Sequence, residues 1–299
     1  MLICSPLRQI RLTPRTVRLI IKNKVPDFGT HVYRDPPMSA LTNAIEILRC
    51  FSAARPDLSF ADVMALTGKP KSSTSRLLRS LRECGLLEQD PHTRRYRPGL
   101  LTFELGRLHR AHDDLLALAE RELRGVCART GHTGYIAVLD GFEQVVLRIA
   151  PGSNPLRVVN PPGQRTPALM TSNGRAMLAR LSDTDIRARV PTPYPKLPRN
   201  SPQSFTELMA RLNEIRRTGV SDAADESIEG VGSQGFALAS GETGELIGIA
   251  ISYSVQATTA DERAQVRREL DAMAAKLGRL TGDLLLGADG PARTGAIGR

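Results

Sequence analysis

The stretch Thr67–Gly85 restricts what this chain can fold into more than any other. Thr67-Gly68-Lys69-Pro70 reads as a turn between two helices: Gly68 can take the positive φ that ends one, and Pro70 cannot continue it but can open the next. The helix that follows, Ser72–Cys84, is closed by Gly85. Thr74, Leu77, Leu78 and Leu81 fall on one of its faces, whereas Ser72, Ser73, Arg76 and Arg79 lie largely on others. Such a helix packs through its leucines and shows solvent a surface of short hydroxyls and guanidinium groups. Small hydroxyls let a helix start approach a major groove, and arginine there reads guanine or clamps phosphate.

The flanking residues fit the same unit. Leu41, Ile45 and Leu48, with Ala44 and Phe51 beside them, give an amphipathic helix that Arg55-Pro56-Asp57 interrupts. Ser59 is a candidate N-cap, with Asp62 three residues on, for a short helix whose apolar face is Phe60, Val63, Met64 and Leu66. After the third helix, Leu86–Gln89 and Arg94–Gly99 flank a turn at Asp90–Thr93, a hairpin with arginines on its return strand. The expectation is a winged helix-turn-helix. Its candidate DNA-binding residues are Lys69, Lys71, Ser72, Ser73, Thr74, Arg76, Arg79, Arg94, Arg95 and Tyr96. A Ser/Thr/Arg face alone is usually just a solvated face; the sequence of turn, hydroxyl-rich helix start, glycine stop and basic hairpin is what favours the nucleic-acid reading.

The location of charge agrees. Of the net +10, residues 1–37 carry +5 and residues 38–107 carry +4, leaving +1 for residues 108–299. A basic end on a nearly neutral body attracts a polyanion such as double-stranded DNA. At 299 residues and 41% hydrophobic, the chain is long enough for two domains with ordinary cores. No apolar run approaches the roughly 20 residues of a membrane helix. Cys4, Cys50, Cys84 and Cys127 are far apart and form neither a CxxC pair nor a disulfide framework. These features lead to the expectation of a cytoplasmic protein without a membrane partner. Residues 1–37 show no clean helical period and end in Asp35-Pro36-Pro37, so translation is expected to start at Met38. The alternative is a flexible basic arm that adds phosphate contacts.

Beyond Gly99, Leu100, Leu101, Phe103, Leu105 and Leu108 begin a helical connector, 100–113, which offers a dimerisation surface, although a plain packed helix fits the pattern equally well. A second apolar helix runs from Leu115 to about Arg129. Tyr135–Leu139 and Gln144–Ile149 around Asp140-Gly141 form a hairpin, Leu156–Val159 a further strand, and Leu238 with Leu246–Tyr253 a second hairpin across Gly241–Gly244. Helices are expected from Thr171–Gly174 through Leu181, from Ser201 or Ser204 to Gly219, and over Thr259–Leu286, followed by a disordered tail, 287–299.

At this point the chain resembles the IclR family of bacterial transcriptional regulators. The resemblance is carried by Ala44–Leu48, Thr67–Leu78 with Leu81 and Gly85, Tyr96-Arg97-Pro98-Gly99, Gly163–Pro167 and Thr171–Ala179. It continues through Ile215–Gly219, Glu226, Gly230-Val231-Gly232-Ser233 and Ile249–Ser254, all in family order. It implies an α+β protein: a winged helix-turn-helix domain over 38–99, a helical linker over 100–113, and a GAF/PAS-like α/β effector-binding and oligomerisation domain over 114–286 with an antiparallel sheet. It implies a homodimer or tetramer acting as repressor or activator. The implied effector-binding residues are Thr171, Ser172, Asn173, Ser233, Ser252 and Ser254, with a short organic acid or aromatic acid as effector. Departures include Arg175 where the family often has Lys, and a missing proline within Gln234–Leu238. An acidic pocket residue of some members falls on Ala223 or Ala224, so Asp222 is not assigned to the pocket.

Other signals are discounted. Gly230–Gly235 fits GxGxxG but stands before a strand, not a helix. His109 and His112 lack supporting ligands for a metal. Asp183 and Asp185 are helix-start acids. No nucleophile–base pair is found, so no catalytic residue, metal or cofactor is expected. The rivals are an enzyme with a GAF-like catalytic domain and a peripheral nucleic-acid-binding head, and an architectural DNA binder that senses nothing.

Overall fold

The computed structural model describes residues 40–52, 55–108, 114–154 and 160–286. The expected strand at Leu156–Val159, the segment 1–37, the tail 287–299, and His109 and His112 lie outside the described residues.

Three helices and a hairpin form the first unit: α1 (Ala40–Arg49), α2 (Phe60–Thr67), α3 (Lys71–Glu83), β1 (Leu87–Gln89) and β2 (Tyr96–Pro98). Ser59 caps α2 in a full capping box: its hydroxyl accepts from the Asp62 N–H at 3.1 Å, and its own N–H donates to Asp62 Oδ2 at 2.8 Å. Gly68, at φ 65°, ends α2 with its N–H on the Met64 carbonyl, and α3 starts directly after Pro70. Ile47, Leu58, Val63, Leu78, Leu81, Leu87 and Tyr96 make the shared core.

The hairpin strands are shorter than the sequence suggested. Of the three arginines expected on the return strand, only Arg97 lies in β2. Asp90 Oδ1 accepts from the N–H groups of His92 and Thr93, which tightens the turn and holds its carboxyl below the usual range. Arg94 sits in the turn at φ 59°, and Arg95 follows it. Next comes α4 (Leu100–Leu108).

The second unit is a six-stranded antiparallel sheet between helices. Its elements are α5 (Asp114–Thr130), β3 (Thr133–Asp140), β4 (Glu143–Ala150), β5 (Arg165–Pro167), a 3₁₀ turn at Ala168–Met170, α6 (Ser172–Ala179), α7 (Asp183–Arg189) and α8 (Phe205–Thr218). β6 (Ser221–Ala224), β7 (Val231–Ala239), β8 (Leu246–Ser254) and α9 (Ala260–Thr281) complete it. The strand order is β5-β4-β3-β8-β7-β6. The two expected hairpins, β3–β4 and β7–β8, meet at its centre through β3–β8 pairing.

Strand alternation divides the sheet into two faces. Ile136, Phe236, Leu238, Ile247, Ile249 and Ile251 join α5 and α9 in one apolar core with Leu116, Leu123, Val266, Leu270 and Leu277. The opposite face carries α6. That helix can approach closely because β7 and β8 present glycines: a Cβ on Gly235 would lie 3.2 Å from the Asn173 nitrogen, and one on Gly248 would lie 2.9 Å from the Asn173 carbonyl oxygen. The GxGxxG residues therefore run into strand β7. The last helix is shorter than expected, because Gly282 at φ 70° stops it and Asp283 turns inward to bond Arg180 and the Ala239 N–H.

Candidate DNA-binding face and sensor cavity

The outer face of α3 is Ser72, Arg76, Arg79 and Glu83, spaced i, i+4, i+7, i+11, with Lys71 and Ser75 exposed beside it. Arg76 and Arg79 have no ion-pair partner among the described residues, so both guanidinium groups are available to an anion. The helix has Pro70 at its N-cap and no side-chain cap, leaving first-turn N–H groups uncommitted to side chains. Ser73 is half-buried on the flank.

Four expected DNA contacts are placed differently. Thr74 is fully buried, its hydroxyl donating to the Pro70 carbonyl at 3.1 Å, because it belongs to the leucine face. Tyr96 is in the core and exchanges backbone hydrogen bonds with Leu58. Lys69 turns inward, its ammonium 2.5 Å from Glu46 Oε2 and 2.6 Å from Asn43 Oδ1, tying the turn to α1. Arg95 is engaged by Asp57 and by Asp62 at 3.2 Å; it clamps the root of the hairpin to the start of α2, and its own pKa is raised, chiefly by the Asp57 hydrogen bond. Arg94 is exposed at the tip of the turn.

In the second unit, a cavity of about 30 Å³ opens between the sheet and the start of α6. Its walls include Tyr135, Gln144, Thr171, Asn173, Ser233 and Ser252, with Ala223, Glu226 and Ala250. The strands create it through one cross-strand row: Ala223 pairs with Ser233, Ser233 with Ser252, and Ser252 with Thr133. Thr171, Asn173, Ser233 and Ser252 thus line it together. Ser172 does not. Its side chain is fully buried and hydrogen-bonds Ser233 Oγ at 2.9 Å, supporting that wall from behind. Ser254 does not either, since it ends β8 and its hydroxyl accepts from the Ala257 N–H. Thr171 also caps α6, accepting from the Gly174 N–H at 3.2 Å.

Sequence reasoning missed Tyr135, Gln144 and the buried ion pair behind the cavity. Arg175, 1% exposed, grips both carboxylate oxygens of Glu226 and donates to the carbonyls of Leu169 (2.8 Å) and Asp222 (2.5 Å). Arg211 adds a third arm to Glu226 at 3.1 Å. Lysine could not make this fork, which is the consequence of Arg175 standing where Lys is frequent. The Asp222 side chain is exposed, so only its carbonyl contributes. Burial pushes the Tyr135 phenol up to about 12, so it is neutral at ordinary pH. Counting β4 in steps of two from Val146 would have put Gln144 on the inner face. Nothing in the local pattern pairs Arg175 with Glu226, 51 positions away.

An exposed basic helix over a leucine core, with a hairpin beside it, defines a winged helix-turn-helix DNA-binding transcriptional regulator. The IclR helix-turn-helix domain matches residues 40–91, and the bacterial transcriptional regulator IclR C-terminal domain matches residues 109–279. The chain belongs to the IclR family. It is 30% identical over 194 residues to the HTH-type transcriptional regulator TtgV of Pseudomonas putida, covering 65% of this chain and 74% of that protein. To the HTH-type transcriptional regulator XynR of Escherichia coli it is 25% identical over 248 residues, 83% of this chain and 98% of that one. Among solved structures, an IclR transcriptional regulator from Silicibacter sp. TM1040 superposes with a TM-score of 0.70 at 24% identity, covering 86% of this chain and all of the other. An IclR homolog from Microbacterium hydrocarbonoxydans complexed with 4-hydroxybenzoate superposes with a TM-score of 0.65 at 21% identity, covering 81% of this chain and all of that one. TtgV and XynR are both HTH-type transcriptional regulators. Among the described residues no helix is long and apolar enough to cross a membrane, and no group of His, Cys, Asp or Glu is arranged to hold a metal ion.

Proposed function

We propose that this regulator binds operator DNA through the outer face of α3 and the hairpin tip, and that a small organic effector in the sensor cavity sets its operator affinity. The observation that carries the DNA half is the pair of exposed arginines, Arg76 and Arg79, without ion-pair partners among the described residues, on the side of α3 opposite Thr74, Leu78 and Leu81. With Lys71, Ser72 and Ser73 at its start, α3 enters the major groove, and Arg94 rests on phosphate. Lys69, Arg95 and Tyr96 act by holding the unit in shape.

The effector half rests on a polar cavity enclosed beneath the α6 start, and is supported by the relative holding 4-hydroxybenzoate. Binding shifts the balance between two states of the protein only to the extent that the ligand prefers one of them. The effector classes that the family resemblance implies are a short organic acid and an aromatic acid.

The protein acts as a homodimer or a tetramer. Helix α4 has nine residues and leaves Leu100, Leu105 and Leu108 exposed, Leu108 by 74%. A helix this short is marginal without a partner for its apolar surface. Sedimentation equilibrium should give at least a dimer, weakened by Leu108→Glu.

The test of the whole reading is titration of the full chain with duplexes from upstream of its own and adjacent genes, with and without candidate organic acids. Salt-sensitive binding to at least one duplex, relieved by a ligand, is the expected outcome. No salt-sensitive association with any of them overturns it.

A further inference from the structure

The polar groups around the cavity are not equally committed. Glu226 is saturated by Arg175 and Arg211, and those two guanidinium groups are in turn occupied by it and by backbone carbonyls. The Ser233 hydroxyl bonds Ser172, the Thr171 hydroxyl takes the Gly174 N–H, and the Tyr135 phenol is bonded at the Asn160 backbone. Gln144 differs. It is 5% exposed, it lines the cavity, and its Oε1 has no hydrogen-bond partner among the described residues. Its place is set by register, since on β4 it lies between Leu139 of β3 and Thr166 of β5. A buried acceptor without a donor is costly, so the cavity favours an occupant that brings one.

Size restricts the occupant further. An apolar cavity of roughly 150 Å³ takes a benzene ring. This one offers about 30 Å³, room for a few heavy atoms.

We propose that the cavity selects a short, ring-free ligand that donates a hydroxyl hydrogen bond, and that Gln144 is the specificity-determining acceptor. This rests on the reading of the cavity as the effector site. The shared chemistry is a hydroxyl on a chain of two to four heavy atoms beyond it, which hydroxy acids and neutral polyols both supply.

The experiment is calorimetric and thermal-shift titration of the full chain with matched pairs. Glycolate is set against acetate; ethylene glycol against ethanol forms the neutral arm, and 4-hydroxybenzoate against benzoate the ring arm. A site built around a hydroxyl rejects the analogue lacking it, so the hydroxylated member of a short pair should bind at least about 10-fold tighter. The pair that shows the difference separates a hydroxy acid from a polyol. In Gln144→Leu the ratio should fall to within about 3-fold, while Gln144→Glu, which keeps an acceptor, retains part of the preference. Equal affinities within every short pair of the wild-type protein overturn the proposal without reference to any variant. An unaltered ratio in a folded Gln144→Leu protein overturns it as well. Tightest binding by a ring compound, with operator release, overturns the size and hydroxyl claim but leaves the effector reading standing. If no probe of either set shifts melting or operator release, the effector reading falls and this inference falls with it.

Discussion

Two helix starts in this molecule share their chemistry and differ in almost everything else. Helix α3 opens with Pro70-Lys71-Ser72-Ser73-Thr74, and α6 with Thr171-Ser172-Asn173-Gly174. Both are rich in short hydroxyls followed by an arginine. At α3 no side chain caps the helix, and Lys71, Ser72 and Arg76 face solvent. At α6 Thr171 caps it, and every residue from Ser172 to Ala179 is buried. The neighbours decide the difference. Helix α3 rests one face on a small core and leaves the other free, whereas α6 is laid on a sheet that offers Gly235 and Gly248 to receive it. On the function proposed above, a polar helix start thus serves a large external polyanion in one place and a small enclosed ligand in the other.

The contrast can be broken most forcibly at the buried end. Glu226→Ala leaves Arg175 without its carboxylate in a site closed to water, and should cost about 3–5 kcal/mol of stability in urea denaturation. A loss near zero would mean that the pair is not buried as described. At the exposed end, Arg76→Ala should weaken operator binding by about 10- to 100-fold, or about 1–3 kcal/mol, in gel-shift titration, with no change in melting. Unchanged affinity would remove the α3 face from the interface. Thr171→Ala tests the cap that α3 lacks, and about 0.5–2 kcal/mol should be lost on unfolding.

The hairpin sharpens the comparison more gently. Arg94→Ala should lower the salt slope of operator binding by about 1, as expected for one phosphate contact, and Arg95→Ala should weaken binding without moving that slope. Equal slopes for both variants would put Arg95 on the DNA after all. The smallest effect concerns His132, which burial beside Tyr253 holds below its usual pKa of 6.5, with Glu262 opposing. The folded protein then binds the proton less readily than the unfolded chain does. Stability is highest above about 6.5 and declines as pH falls through the unfolded value toward the folded one. His132→Gln should flatten that part of the melting-temperature profile.

Much of this was legible in the chain. The helix boundaries around Gly68, Pro70 and Gly219, the cap at Ser59 and the two sheet hairpins follow from residues that act over three or four positions, whereas Ser201 and Ser204 were equal candidates for a cap that the structure places at Ser204. The readings that changed depended on distant partners. Lys69, Arg95 and Tyr96 looked like DNA contacts because a basic or aromatic residue near a recognition helix is one, until Glu46, Asp57 and Leu58 claimed them. The family resemblance implied Ser254 beside Ser252, but the strand ends there.

Helical and strand periods and local caps are short-range, so the chain's own pattern was enough for the elements, the basic end and the leucine face of α3. Which hydroxyls are enclosed, the meeting of Arg175 with Glu226 across 51 positions, and the lack of a donor to Gln144 among the described residues come from the folded arrangement. Hydrogen-bond satisfaction in a buried site depends on what the folded chain brings within about 3 Å, and separation along the chain does not encode it.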